Sequence, residues 1–221
     1  QHGYAGNSRV ENGESAPEIL TAVVKDGIYE NAQFMYSYAG DPEMDEFIAL
    51  ANKTNFGTIA MKTGRGIGRM KQDQSFMDKL PEGTSPYNAM VRWLTTETML
   101  DTAVVRVKNL EEFTETYSGA GKKLRARDAQ ALQAMTAEAN NTTCRLCGKC
   151  QSECPQEIPI TDILRFERYA LDDHDWNKAR KLYAALPKRG DQCDNCGQCM
   201  EICPLNLQIP HKLAKDHILL T

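Results

Sequence analysis

The chain has 221 residues, 41% of them hydrophobic and 25% charged, with a formal net charge of -4, values that fit a soluble globular protein of one or two domains and exclude a disordered one. No run reaches the roughly 18 uninterrupted apolar residues of a membrane helix, and lysine and arginine do not gather into a basic run, so neither a membrane span nor nucleic-acid binding is expected. The eight cysteines all follow residue 143, too few and too local for a disulfide-stapled scaffold.

Gln1 opens the chain without an initiator Met or a charged-then-apolar leader, which reads as a processed or shortened start. From residue 1 to 125 short apolar runs alternate with helical patterns, the signature of parallel β/α units. Strands are expected over residues 32–38, 58–62 and 102–107. Asp41-Pro42 should open a helix, with a capping residue and a proline at its first position and with Met44, Phe47, Ile48 and Ala51 on its apolar face. Ser85-Pro86 should open another in the same way. Three or four such units do not close a sheet, because parallel strands need both faces covered.

Residues 63–71 (Thr-Gly-Arg-Gly-Ile-Gly-Arg-Met-Lys) read as a flexible basic loop, either solvated or an anion site. Its glycine pattern is too short to mark a dinucleotide site. Lys62, Arg65 and Arg106 lie near the C-terminal ends of the expected strands and are candidates for holding an anionic substrate or cofactor.

Residues 126–221 contain a repeat. Cys144-Arg-Leu-Cys147-Gly-Lys-Cys150-Gln-Ser-Glu-Cys154-Pro155 returns as Cys193-Asp-Asn-Cys196-Gly-Gln-Cys199-Met-Glu-Ile-Cys203-Pro204, each cysteine 49 residues after its counterpart. Ile158-Pro159 is echoed by Ile209-Pro210, out of step with that interval. Three thiolates at two-residue gaps can wrap a tight loop around an iron–sulfur cube, with backbone N–H groups turned toward its sulfides. Gly148 and Gly197 suit that turn because glycine takes a positive φ without steric cost, and a proline after the fourth cysteine directs the chain away. The alternatives are structural zinc and disulfides. Zinc sites usually pair two separated Cys-x-x-Cys knuckles, and disulfides join distant segments rather than crowding into short runs.

Between the runs, Ile160, Ile163, Leu164, Phe166, Tyr169 and Ala170 follow helical spacing, as do Trp176, Ala179, Leu182, Tyr183 and Leu186. Two helices with packed apolar faces are expected there. His2, His174, His211 and His217 show no ligand spacing and read as surface or packing residues.

The cysteine spacing resembles that of two-cluster ferredoxins, in which the fourth cysteine of each run serves the other cluster. Carried onto this chain, the resemblance implies one 4Fe-4S cluster on Cys144, Cys147, Cys150 and Cys203 and a second on Cys193, Cys196, Cys199 and Cys154. With helices between the runs, the module resembles the α-helical bicluster ferredoxins appended to larger oxidoreductases. Upstream, three segments in order resemble the C-terminal half of the aldo/keto reductase barrel, in the variant that continues into a dicluster ferredoxin. They are Ser37-Tyr38 with Asp41-Pro42-Glu43-Met44-Asp45-Glu46, then Ala60-Met61-Lys62-Thr63, then Val107-Lys108-Asn109-Leu110-Glu111-Glu112-Phe113.

This second resemblance implies a partial (β/α)8 TIM-type barrel over residues 1–125, followed over 126–221 by a helical linker and a mostly α-helical ferredoxin-type domain. It assigns no catalytic residue, because the family's Asp, Tyr, Lys and His lie on the preceding half of the barrel; His2 resembles the histidine after the fifth strand. The Pro-Lys-Ser run of the family's nicotinamide-phosphate site does not occur around residues 102–108, so NAD(P)H is not an expected cofactor.

Two functions follow as expectations. One is an iron–sulfur oxidoreductase relaying electrons between a barrel-borne site and a protein partner or subunit. The other is a non-catalytic electron-transfer or docking subunit of a larger redox complex. Cluster cysteines point to assembly in the cytoplasm, with export of a folded, cluster-loaded form compatible with the same residues.

Overall fold

A computed structural model of the chain describes residues 3–5 and 16–221; the reading of His2 lies outside the described residues. They form two compact units, residues 3–5 with 16–139 and residues 140–221.

The first unit is built from β/α repeats. In chain order it holds β1 (Gly3–Ala5), α1 (Ala16–Asp26), β2 (Asn31–Met35), α2 (Pro42–Lys53), β3 (Gly57–Met61), the short α3 (Ile67–Met70) and α4 (Gln74–Met77), α5 (Pro86–Thr96), β4 (Thr102–Ala103), α6 (Leu110–Tyr117) and most of α7 (Ala126–Thr142). The four strands are parallel and lie in sequence order, with Phe34 opposite Ala60 and Ala60 opposite Ala103. Parallel neighbours in sequence order are what repeated crossover helices produce.

Burial alternates along β2 and β3. Ala32, Phe34, Thr58 and Ala60 are buried, and the apolar ones pack with Leu20, Met44, Phe47, Ile48 and Ala51 of α1 and α2. The opposite face carries Gln33, Met35, Ile59 and Met61, all half-buried. Edge-to-face packing of Phe34 on Phe47, 5.1 Å between centroids, closes the layer. A second apolar cluster joins Ile67, Met70, Phe76, Ala89, Met90 and Leu94 to Ala131, Leu132 and Met135 of α7.

Helix starts follow the local chemistry. Ser85 caps α5 by accepting from the Asn88 N–H at 3.1 Å, with Pro86 as the first helical residue. Asp41 occupies the cap position of α2, but its side chain makes no capping bond, so the proline and Glu43 near the helix N-terminus supply the start signal there. The last expected strand is shorter than its sequence suggests. β4 ends at Ala103, and after Val104 N–H donates to Ala60 O the ladder stops. β3 itself ends at Met61, and Lys62 turns away with φ 57°, which leaves residues 105–107 no backbone to pair with on that side.

The second unit is helical: α8 (Ile160–Leu171), α9 (Trp176–Ala184), a 3₁₀ turn (Gly190–Gln192), α10 (Gln198–Glu201) and α11 (Ile209–Leu220). Its core includes Ile158, Ile160, Ile163, Leu164, Ala170, Ala179, Tyr183, Leu207, Ile209 and Leu213. Each large aliphatic among them is worth roughly 1.5–3 kcal/mol of burial. A buried ion pair, Lys212 Nζ to Glu167 Oε1 at 2.8 Å, joins α11 to α8, and the same ammonium donates to the Thr142 carbonyl at 3.1 Å.

Candidate metal centre

The two cysteine runs have the same backbone. Leu146 and Asn195, two residues after the first cysteine of each run, both have φ 60°; Gly148 and Gly197 have φ 82° and 85°; Glu157 and Asn206, three residues after the fourth cysteine, both have φ 52°. The hydrogen bonds repeat as well. Gln151 N–H donates to Gly148 O and Met200 N–H to Gly197 O, each at 2.8 Å, while Glu157 N–H reaches Cys154 O at 2.9 Å and Asn206 N–H reaches Cys203 O at 3.0 Å.

The repeat runs into the helices, since α8 and α11 are both 12 residues long and begin 49 residues apart. The counterpart of Ile158-Pro159 is therefore Leu207-Gln208, whose conformations at the helix start match (ψ 67° at Pro159 and 69° at Gln208), and Ile209-Pro210 already lies inside α11.

Left-handed backbone at three points per run has a chemical use. A non-glycine residue there costs about 1 kcal/mol or more, which needs a compensating interaction. At Leu146 one is visible: the turned N–H donates to Cys144 Sγ at 3.2 Å, the kind of bond that stabilises a metal-bound sulfur. Gly197 has open space around its Cβ direction, so its φ, not crowding, selects glycine. In the second run Cys196 N–H donates to Asp194 Oδ1 at 3.1 Å, and Gln156 Nε2 donates to Asp194 Oδ2 at 3.0 Å, which ties the exit of the first run to the second.

The thiols have electrostatic neighbours from both runs. Cys144 is within electrostatic reach of Cys147 and Cys203, and Cys150 of Cys144, Cys147, Cys199 and Cys203. Cys199 has Cys193, Cys196 and Cys154 around it. Cys203 of the second run thus lies near Cys144 and Cys150 of the first, Cys154 of the first lies near Cys199 of the second, and Cys150 and Cys199 lie near one another. Burial pushes the Cys144 thiol up to about 11, neighbouring thiols add to the rise, and the Leu146 N–H and Arg168 oppose it. Burial likewise raises Cys150, and Cys199 to about 11. Thiols held protonated in this way become ligands when a cation displaces their protons.

All eight cysteines are free of disulfides. Among the described residues no three His, Cys, Asp or Glu side chains converge on a single-ion site. The donor set fits a thiolate-held iron–sulfur group in its residue type and its N–H···S bond.

The other sequence candidates fare differently. Residues 63–66 form an ordered turn leading into α3, with Thr63 and Arg65 buried, instead of a solvated flexible loop. Arg65 is 4% exposed, its Nη2 donates to Ala139 O at 2.9 Å, and its carbonyl accepts from the Tyr38 hydroxyl at 2.6 Å. Lys62 and Arg106 are exposed. His217 Nδ1 lies 2.8 Å from the Tyr183 hydroxyl, and that hydroxyl oxygen accepts from Gly190 N–H at 3.0 Å. Sequence patterns missed Gly190, where a Cβ would fall 2.3 Å from Leu213 O, and the left-handed Leu146, Asn195, Glu157 and Asn206. The fixed repeat offset was the signal that could have found the last four as pairs.

Comparison with known families matches residues 136–204 to a 4Fe-4S dicluster domain, a span that holds all eight cysteines. No curated protein and no solved structure matches the chain. Iron–sulfur electron transfer is the chemistry this domain suggests. Among the described residues, no helix is long and apolar enough to cross a membrane.

Proposed function

We propose that the chain holds two 4Fe-4S clusters, one on Cys144, Cys147, Cys150 and Cys203 and the other on Cys193, Cys196, Cys199 and Cys154, and that it relays electrons between a site on the β/α unit and a protein partner. The nearness of Cys203 to Cys144 and Cys150, and of Cys154 to Cys199, supports the proposal. When bound, such clusters supply one-electron transfer at potentials set by charge, hydrogen bonds to sulfur and exposure. The chain's own residues set those conditions. Buried Cys150 and Cys199 keep water from one corner of each group, and Leu146 N–H lowers the electron density on Cys144 Sγ.

Crossed ligation has a specific test. Cys203→Ser should alter the EPR signal that Cys144→Ser also alters, and Cys154→Ser the one that Cys196→Ser alters. If each fourth cysteine instead tracks its own run, the assignment is wrong.

The β/α unit is proposed as the C-terminal half of an aldo/keto reductase-type barrel. Parallel strands in sequence order support this, as does a second sheet face left half-buried at Gln33, Met35, Ile59 and Met61, because all-parallel sheets are normally covered on both faces. On this reading Lys62 and Arg106 meet an anionic substrate at the strand ends, while Arg65 serves packing. The second reading, a non-catalytic docking subunit, is favoured by that commitment of Arg65 to the interior. A carbonyl substrate that reoxidises the reduced clusters supports the enzyme; clusters oxidised only by another protein support the subunit.

A further inference from the structure

The two cysteine runs share a backbone but not a surface. Cys196 is exposed, Cys144 and Cys147 are half-buried, and Cys150 and Cys199 are buried. Around Cys196, Asp194, Asn195 and Gln198 are exposed as well, whereas their counterparts Arg145, Leu146 and Lys149 are buried or half-buried. Ile202, next to Cys203, is 45% exposed; the other exposed large aliphatics of this unit, Leu182 and Ile218, lie on α9 and α11 away from the cysteine runs in sequence.

The charges differ in the same sense. Residues 190–208 include Asp191, Asp194 and Glu201 but no lysine or arginine, while in the matching residues 141–159 Arg145 and Lys149 balance Glu153 and Glu157. The nearest upstream cations are Arg189 and Lys188, and Lys188 is engaged by Glu157 at 2.7 Å. Asp194 is held in place by its bonds from Cys196 N–H and Gln156.

We propose that the loop bearing Cys193, Cys196 and Cys199 is the docking face through which electrons pass to or from an outside carrier protein, one with a lysine- and arginine-rich rim around its own redox centre. The proposal rests on the two-cluster reading. Electron transfer slows steeply with distance, so exchange favours the thiolate edge that reaches solvent, and in this unit that edge is Cys196. The carboxylates attract a basic partner and Ile202 supplies an apolar contact at the centre of a small interface, below about 1,200 Å² as in transient redox encounters. The first group, more sheltered and without an excess of carboxylates around it, is the inner station.

The test uses the full chain, loaded and reduced anaerobically, with about eight irons per chain verified first. Stopped-flow oxidation by hexaamminecobalt(III), a cation, should slow with added salt, and oxidation by the anion ferricyanide should not. Combining Asp191→Asn, Asp194→Asn and Glu201→Gln should slow the cationic reaction about tenfold at low salt, while Glu97→Gln in the other unit should leave it unchanged. Rapid-freeze EPR should show the signal altered by Cys196→Ser disappearing first. A cationic rate indifferent to salt or to the triple substitution, or earlier loss of the other signal, overturns the proposal. Iron near four per chain would overturn the two-cluster reading itself, before any oxidant is added.

Discussion

Replacing Lys212 with methionine removes the ammonium that sits 2.8 Å from Glu167 Oε1 and 3.1 Å from the Thr142 carbonyl while keeping most of the side chain's apolar stem. Lysine and glutamate side chains are 12% and 1% exposed, so solvent cannot replace the lost partner. At this separation the attraction is about 6 kcal/mol with an effective dielectric constant of about 20. Single truncations of buried pairs cost about 3–5 kcal/mol, and that is the loss expected in the second unit. For a unit of this size it lowers the unfolding midpoint by roughly 12 °C or more. The assay is thermal unfolding of the anaerobically loaded protein, followed by visible absorbance. Adding Glu167→Gln should cost less than the two single losses together, with a coupling of about 2 kcal/mol. A single-mutant loss below about 1 kcal/mol, or additive losses, would refute the idea that this pair braces α8 against α11.

Gly190→Ala places a methyl group 2.3 Å from Leu213 O, so unfolding measurements should show a loss of about 3 kcal/mol or more, with iron released first from the group containing Cys193. Asn195 is exposed with φ 60°; Asn195→Val should cost about 1–2 kcal/mol and Asn195→Gly almost nothing, measured on the same melts. Asp128, wholly buried, accepts two bonds from the Arg125 guanidinium at 2.7 Å, which hold its carboxyl below the usual carboxylate range. Its stabilising contribution is complete above the unfolded value near about 3.9 and fades as pH falls through the lower folded value. Acid unfolding of Asp128→Asn should therefore be flatter below about pH 4 than that of the parent chain, and an unchanged profile would exclude the role.

Much of the second unit was legible in the sequence because its chemistry is local. Eight cysteines at one repeat interval announce their loops, Gly148 and Gly197 announce the turns, and the stripes from Ile160 and Trp176 announce the two helices between them. The exact helix alignment was harder. Ile209-Pro210 imitates Ile158-Pro159 in letters, yet the backbone equates Leu207-Gln208 with it, because proline suits the first turn of a helix as well as the position before it. In the first unit helix starts at Pro42 and Pro86 were readable. The end of β4 was not, since Val105 and Val107 have strand propensity but lack a neighbouring strand once Lys62 turns away. Arg65 looked like a solvent-facing cation for a related reason. Only the approach of α7, more than 70 residues later, brings the Ala139 carbonyl that accepts its guanidinium.

Iron, zinc and acid-labile sulfide analysis of the full chain purified anaerobically, with Mössbauer spectra of the same sample, decides whether the eight cysteines hold two clusters. About eight irons and about eight sulfides per chain, in two cubane-type environments, are expected. Two zinc ions with little iron, or a single cluster with four cysteines open to alkylation, would contradict it.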